Sequence, residues 1–335
     1  MSHNPYKALF PLFKEKSNLL SIEEFHSKIN LVFHNIESKY YDSLQQGMWK
    51  NLPEQLALLL KSLDDITVRN NLKALDVGCG TGLATAILLE ADLGNYISDV
   101  TLLDTSPGMI KQAIKRSKKW GKNVDAFCGH LSELDEKFDL IIVSSVLHHI
   151  PNLEVFFNDL NEKLNENGIL ITLQDPLSES VNSGKYQNRC ELLRDTIFVK
   201  EPYTVKKIWK GLLRRIKAFF NPSHYMEEVN NELIKQNIVH TKLEPGEMWS
   251  VTDIHVEGLP YSNKKGISIK AVEKYNKELQ LLNYVTYCFF GPLKYYLPEK
   301  FKVMETELTD SNDKYGRNFG SIWIKKNLNK NNLSL

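Results

Sequence analysis

Leu72-Lys73-Ala74-Leu75-Asp76-Val77-Gly78-Cys79-Gly80-Thr81-Gly82 passes from a short apolar run through three alternating glycines straight into a helical pattern. Leu72 to Val77 reads as a buried strand, while Leu83, Ile87 and Leu88 begin an apolar stripe at helical spacing, so the glycines fall on a strand-to-helix turn. Glycine permits positive φ there and lets the backbone approach a bound molecule closely. The junction is shaped to hold a small cofactor, although alternating glycines alone are a weak signal.

A second residue strengthens it. Twenty-two positions beyond Gly82, the next apolar run, Val100 to Asp104, ends on a carboxylate. A strand-end acid at that distance is where both ribose hydroxyls of a bound nucleoside would be accepted. The spacing G-x-G-x-G and the preceding Asp76 point away from a pyrophosphate-bearing dinucleotide.

Strands and helices alternate outward from this turn. Val124 to Cys128, Phe138 to Val146 and Gly168 to Leu173 read as further strands. Met109 to Trp120 and Asn152 to Leu164 read as helices, and after a gap come a helix Ile269 to Leu281 and strands Tyr284 to Phe290 and Ile322 to Lys326. Each strand is short and apolar, as a sheet covered on both faces requires. The expected fold class is α/β, a doubly wound sheet with helices on both faces.

The chain divides on the same reading into four stretches: a helical opening (1–70), a cofactor-binding core (71–176), a helical insertion where the alternation stops (177–256), and closing elements of the sheet (257–330).

The sequence resembles the class I methyltransferases that use S-adenosylmethionine. The resemblance rests on Leu75 to Gly82, on Leu103-Asp104-Thr105-Ser106-Pro107-Gly108-Met109-Ile110, and on Phe138 to Val143 running into Leu147-His148-His149-Ile150-Pro151. It extends over Leu72 to Leu173 and more loosely over the closing elements. It implies a mostly parallel seven-stranded Rossmann-like sheet with a helical cap and a helical lid, and S-adenosyl-L-methionine as cofactor.

It also implies roles. Gly78, Cys79, Gly80 and Gly82 would line the amino-acid and ribose part of the cofactor, and Asp76 would anchor that loop and help hold the methionine ammonium. Asp104 and Thr105 would lie at the ribose, with Asp104 taking its hydroxyls. Met109 or the adjacent Ser106 would touch the adenine face, and the loop holding His130 and Leu131 would frame the adenine edge, with His130 standing where family members commonly place an acid. Ser144 begins the loop that closes over the methionine end and faces the acceptor.

Methyl transfer from a sulfonium is an in-line displacement, so positioning the nucleophile and excluding water supply much of the rate. A base is needed only if the acceptor must lose a proton, and His148 and His149 are the candidates. The resemblance gives no metal. The implied acceptor is a small or lipid-like apolar molecule. Two other readings stay open: transfer to tRNA or to a carrier-protein-bound acyl group, and cofactor binding without catalysis.

Composition constrains partners. The 335 residues are 42% hydrophobic and 25% charged, an ordinary globular balance, and a net charge of +1 gives no general reason to expect nucleic acid. Lys185 to Lys217 nevertheless holds ten basic against three acidic residues, +7 against −6 for the rest of the chain. Within it, Val205 to Phe220 reads as an amphipathic helix with Ile208, Trp209, Leu212 and Leu213 on one face and Lys206, Lys207, Lys210 and Arg214 on another. Such a helix suits a lid over the acceptor, an anionic membrane surface or an acidic carrier.

No window approaches the roughly 18 apolar residues of a membrane span, so a cytoplasmic protein is expected. Four dispersed cysteines without a C-x-x-C pair argue against zinc or a disulfide framework. Tyr40-Tyr41-Asp42 and Trp49 in the helical opening are expected to wall the acceptor site.

Overall fold

The computed structural model describes residues 6–44, 47–63, 68–197, 223–261, 266–292 and 294–326. The basic helix expected at 205–220 lies outside the described residues. Seven strands form one sheet: β1 (Leu72–Val77), β2 (Ile97–Asp104), β3 (Asn123–Cys128), β4 (Phe138–Ser144), β5 (Leu164–Pro176), β6 (Leu279–Tyr287) and β7 (Asn318–Lys325). Their spatial order is β3-β2-β1-β4-β5-β7-β6.

β1 pairs in parallel with β2 on one side and β4 on the other, and β2–β3 and β4–β5 are also parallel. The order reverses between β1 and β4. In open parallel sheets that switch point opens a crevice beyond the carboxyl ends of the strands, where ligands bind.

Four helices open the chain: α1 (Phe10–Lys16), α2 (Ile22–Glu37), α3 (Tyr41–Leu44) and α4 (Met48–Leu60). α5 (Leu83–Glu90) follows β1, α6 (Pro107–Ser117) follows β2, and α7 (Leu153–Lys163) leads into β5. After β5 come α8 (Ser178–Val181), α9 (Gly184–Asp195), α10 (Ser223–Lys235) and α11 (Pro245–Thr252). α12 (Ile269–Tyr275) precedes β6, and α13 (Glu299–Asp310) separates β6 from β7.

The chain gathers into two compact units. One comprises Phe33–Asp175, Ile267–Val285 and Phe319–Leu335; the other comprises Met1–Val32, Pro176–Gly266 and Thr286–Asn318.

The first unit holds the sheet's core. Every residue of β4 and β7 is buried, which explains why their sequences lack polar alternation. Leu52, Leu56 and Leu59 of α4 and Leu83, Ile87 and Leu88 of α5 join Ala74, Leu102, Leu140 and Ile142 in one apolar cluster. Burying a leucine of this kind contributes about 2 kcal/mol. Polar groups of β5 and β7 pair with one another: the Thr172 and Ser321 hydroxyls lie 2.6 Å apart, and Trp323 Nε1 donates to Ser321 Oγ at 2.7 Å.

In the second unit, Phe289, Phe290, Leu297 and Phe301 cluster with Leu193 and Met304. Glu305 is buried there and accepts the Phe289 amide with both carboxylate oxygens. Arg189 grips Asp313 through two hydrogen bonds, and Arg317 Nε donates to Glu257.

Two of the boundaries that differ from the sequence pattern have a visible cause. The helix expected to run to Leu281 stops at Tyr275, and β6 begins at Leu279, because the Lys326 amide donates to the Glu278 carbonyl and draws the segment onto the sheet. At its other end β6 stops at Tyr287. Cys288 takes a φ of 63°, and Phe289 and Phe290 leave the strand for the aromatic cluster of the second unit. Among the described residues, no helix is long and apolar enough to cross a membrane.

Candidate active site

The glycine turn is tied to β2 and closed on itself. The Cys79 amide donates to the Leu103 carbonyl at 2.9 Å, and Gly82, the residue before α5, donates to the Cys79 carbonyl at 2.8 Å. Gly78, Gly80 and Gly82 have φ of 65°, 52° and 77°, a region where side-chain-bearing residues are strained. Two of the three do different work. A Cβ on Gly78 would stand 2.4 Å from Val146 Cγ2, so this glycine admits the loop after β4 against the turn. A Cβ on Gly80 would meet nothing within 4 Å, so its bare face borders open space.

Two carboxylates flank that space. Asp104, at the end of β2, accepts the Gly80 amide at 2.9 Å with Oδ2 and the Ser106 amide at 2.8 Å with Oδ1. These bonds fix the carboxylate while leaving about two of its lone-pair sites for a ligand hydroxyl pair. Burial raises the Asp104 pKa, and the two amides and His34 oppose the rise.

Asp76 ends β1, 1% exposed. Its Oδ2 accepts from Thr85 Oγ1 at 2.6 Å, whereas Oδ1 is buried with no partner. Burial pushes its carboxyl up to about 7, against the Thr85 bond and helped by Asp104. The same surroundings push the Cys79 thiol up. A buried carboxylate oxygen without a donor beside an open glycine face suits a cationic group. The ammonium-bearing, sulfonium-bearing S-adenosylmethionine fits these residues.

The other expected cofactor residues gather around Asp104. Ser106 Oγ caps α6 by accepting the Met109 amide at 3.2 Å, and the Met109 side chain is buried. Thr105 is exposed, and its carbonyl accepts Cys128 Sγ at 3.6 Å. The Gly129 amide donates to the Asp104 carbonyl at 3.1 Å, which brings the His130–Leu131 loop alongside. His130 is exposed and Leu131 buried, and the carboxylate of Glu133 turns back to accept the His130 amide at 2.6 Å. An acid is thus present in this loop, three residues later than the sequence comparison looked for it.

The helical opening reaches the site through Asn35, which the sequence did not mark, and through Asp42 and Trp49, which it did. Asn35 Oδ1 accepts the Gly108 amide at 2.8 Å. Asp42 of α3 accepts Thr81 Oγ1 at 2.7 Å, inside the glycine turn, and pairs with Arg116, whose Nη1 also donates to Thr81. Arg116 stacks over Trp49, 4.9 Å from its ring centroid. Asp42 and Trp49, expected at the acceptor wall, therefore engage the glycine turn and α6.

Beyond β4 the backbone is strained at two side-chain-bearing residues, Ser145 (φ 58°) and Gln174 (φ 67°), the latter within β5. Ser144 Oγ is buried without a partner. His148 Nδ1 lies 2.6 Å from Asp175 Oδ1, and the His148 amide donates to the same oxygen at 3.1 Å. Asp175 is fully buried. The His149 ring lies 4.0 Å from that of His148 and 5.0 Å from that of His34, which in turn meets the buried Glu37 at 3.1 Å. His34 and Glu37 were not legible in sequence, since they sit in an amphipathic helix among ordinary core residues.

Residues 75–170 match a family model described as a methyltransferase domain. The sheet order, the glycine turn and this match liken the core to class I S-adenosylmethionine-dependent methyltransferase domains. The chain is 30% identical over 145 residues to a malonyl-acyl-carrier-protein O-methyltransferase of Acetivibrio thermocellus, covering 43% of this chain and 48% of that one. It is 30% identical over 157 residues to a demethylmenaquinone methyltransferase of Staphylococcus aureus (44% and 60%). It is 33% identical over 103 residues to a ubiquinone biosynthesis O-methyltransferase of Azorhizobium caulinodans (30% and 39%). The chain spans about half the length of the first two.

Proposed function

We propose that this chain is a methyltransferase that moves the methyl group of S-adenosylmethionine to a small or lipid-like, apolar acceptor by direct in-line displacement. The observation that carries the reading is the pairing of Asp104, fixed by the Gly80 and Ser106 amides, with Asp76 and its buried, partnerless Oδ1. One carboxylate is set for a diol and the other for a cation. The named relatives act on quinone precursors or an acyl carrier in their own right, which supports the apolar acceptor class.

Calorimetry with S-adenosylmethionine tests the core of the reading. The wild type binds, and Asp104→Ala loses at least about tenfold in affinity, as expected for two hydrogen bonds to a charged group at about 1.5 kcal/mol or more each. No heat from the wild type, or unchanged binding by Asp104→Ala, would sink it.

A second reading, a carrier-bound acyl acceptor, is favoured by the charge of +7 between Lys185 and Lys217 and by the Acetivibrio relative. Activity on such a carrier would fall steeply with salt, since exposed charges are screened within about 8 Å at physiological ionic strength. A flat salt profile argues for the free small molecule.

A further inference from the structure

We propose that Arg116 and Asp42 are positioning residues for the cofactor: together they clasp Thr81, and the closed clasp ties the helical opening to the glycine turn and strengthens cofactor binding. The inference rests on the methyl-transfer reading above. Thr81 stands between Gly80, whose bare face borders open space, and Gly82, the residue before α5. It is 1% exposed, and its hydroxyl donates its one proton to Asp42 Oδ1 at 2.7 Å and accepts from Arg116 Nη1 at 3.2 Å. Arg116 Nη2 bonds the second Asp42 oxygen, and Trp49 covers the guanidinium with its ring face. One guanidinium thus gathers α3, α4, the turn and the last turn of α6.

The turn needs such a tie. Glycine gives the backbone its widest freedom, and three alternate glycines leave little to hold their shape. The Gly80 amide is bonded to the Asp104 carboxylate, the group proposed to take the ribose hydroxyls. Fixing Thr81 therefore fixes the neighbouring amide, and with it the orientation of Asp104. The Asp42 side chain is 49% exposed, and an ion pair so open to water contributes little stability by itself. Its effect lies in where it holds a buried threonine.

The same opening presses on α6 at its other end. Asn35 Oδ1 accepts the Gly108 amide, one of the donors that a helix start leaves unpaired. A Cβ on Gly108 would stand 2.5 Å from Ser38 Oγ and 2.7 Å from the Asn35 carbonyl, so the end of α2 lies directly against the start of α6. α6, which carries Met109, is held at its first turn by α2 and at its last by α3 and α4.

Coupling between a clasp and a ligand is reciprocal. If the closed clasp tightens cofactor binding, bound cofactor stabilises the closed clasp, and the amides of α3 and of the first turn of α4 then exchange more slowly with solvent. Ser43 and Leu44 donate to the Tyr40 carbonyl and Asn51 to the Gly47 carbonyl, so these three amides report the opening. A pair that served stability alone would leave cofactor affinity and this protection unchanged.

The test titrates the full chain with S-adenosylmethionine by calorimetry, with the folded fraction of each variant fixed by denaturant unfolding. Arg116→Ala, Asp42→Ala and Thr81→Val each remove a different member, and each should weaken binding per folded molecule about 5- to 50-fold, within the usual range for coupled sites. Thr81→Ser keeps the hydroxyl and should stay within about threefold of wild type. Asp42→Ala combined with Thr81→Val should fall within about threefold of the weaker single variant, because the members act as a unit. Saturating cofactor should slow exchange of the Ser43, Leu44 and Asn51 amides at least about fivefold in the wild type and leave it unchanged in Arg116→Ala.

Unchanged affinity in Arg116→Ala and Thr81→Val overturns the clasp and leaves the methyl-transfer reading standing. Wild-type exchange that ignores bound cofactor does the same. A wild type that gives no heat with S-adenosylmethionine removes that reading, and the clasp with it.

Discussion

Asp76 carries the clearest chemical signature of any single residue. Its carboxyl is fully buried and bonded to Thr85, its Oδ1 has no hydrogen-bond partner among the described residues, and it sits at about 7 where an exposed aspartate sits near 3.8. The cause is burial, which disfavours the anion. The sign of the linkage follows. A folded value above the unfolded one means that ligand-free stability is greatest in acid and declines as pH climbs from about 4 to about 7. A cationic ligand does the reverse, since it selects the anion. Below about 7 the site must therefore release a proton to bind. Cofactor affinity is expected to rise by up to about tenfold per pH unit between pH 5 and 7 and to level off above. Calorimetry in two buffers of different ionisation enthalpy would read that proton directly. Asp76→Asn should flatten the profile and weaken binding at pH 8. A wild-type affinity independent of pH from 5 to 8 would remove Asp76 from the cation site.

At the scale of the element, the β1–α5 turn separates two uses of glycine that look alike in sequence. Gly78 and Gly80 both have positive φ, yet a methyl group at 78 would collide with Val146, while at 80 it would point into open space. Gly78→Ala should cost about 2–4 kcal/mol in denaturant unfolding, combining left-handed strain with overpacking. Gly80→Ala should cost only about 1–2 kcal/mol but lose most cofactor affinity, because the methyl group occupies the space beside the two acids. Equal effects of the two on binding per folded molecule would contradict this division. The turn, Asp104 and the alternation of strands with helices were legible because each has a local signature: a short continuous apolar run and the residue that ends it, a period of 3.6, or a residue that only a special φ requires. The contacts from the helical opening were not. Asn35 on Gly108 and Asp42 on Thr81 join residues 73 and 39 positions apart, and nothing in either segment encodes the other. The His148–Asp175 pair falls between these cases. Both residues could be singled out individually, but their 2.6 Å contact depends on β4 lying beside β5. The end of α12 was misread for a similar reason, since a hydrogen bond from Lys326, far along the chain, decides it.

For the whole molecule, the sheet order keeps stability and cofactor binding apart. The residues proposed to hold the cofactor sit on β1 and β2 and the turns after them, whereas β7, the most completely buried strand along with β4, lies three places from β1 in the order β1-β4-β5-β7. β7 is also a late addition in chain order: it enters between β5 and β6 after α13. The sheet is incomplete until β7 is in place between β5 and β6. Trp323 is the largest fully buried side chain, and its Nε1 bond to Ser321 reaches the Thr172 hydroxyl of β5. Trp323→Ala should therefore cost about 3–5 kcal/mol, a large share of the 5–15 kcal/mol by which folded domains exceed their unfolded chains. Trp323→Phe, which keeps the ring packing and loses the hydrogen bond, should cost about 1–2 kcal/mol. Denaturant unfolding gives both values. In either variant the fraction that remains folded should bind S-adenosylmethionine within about twofold of wild type, because β7 is three places from β1 in the sheet and distant sites behave independently. A binding constant that falls in step with the stability of these variants, after correction for the unfolded fraction, would show that the two halves of the sheet are coupled, and the separation argued from strand order would not hold.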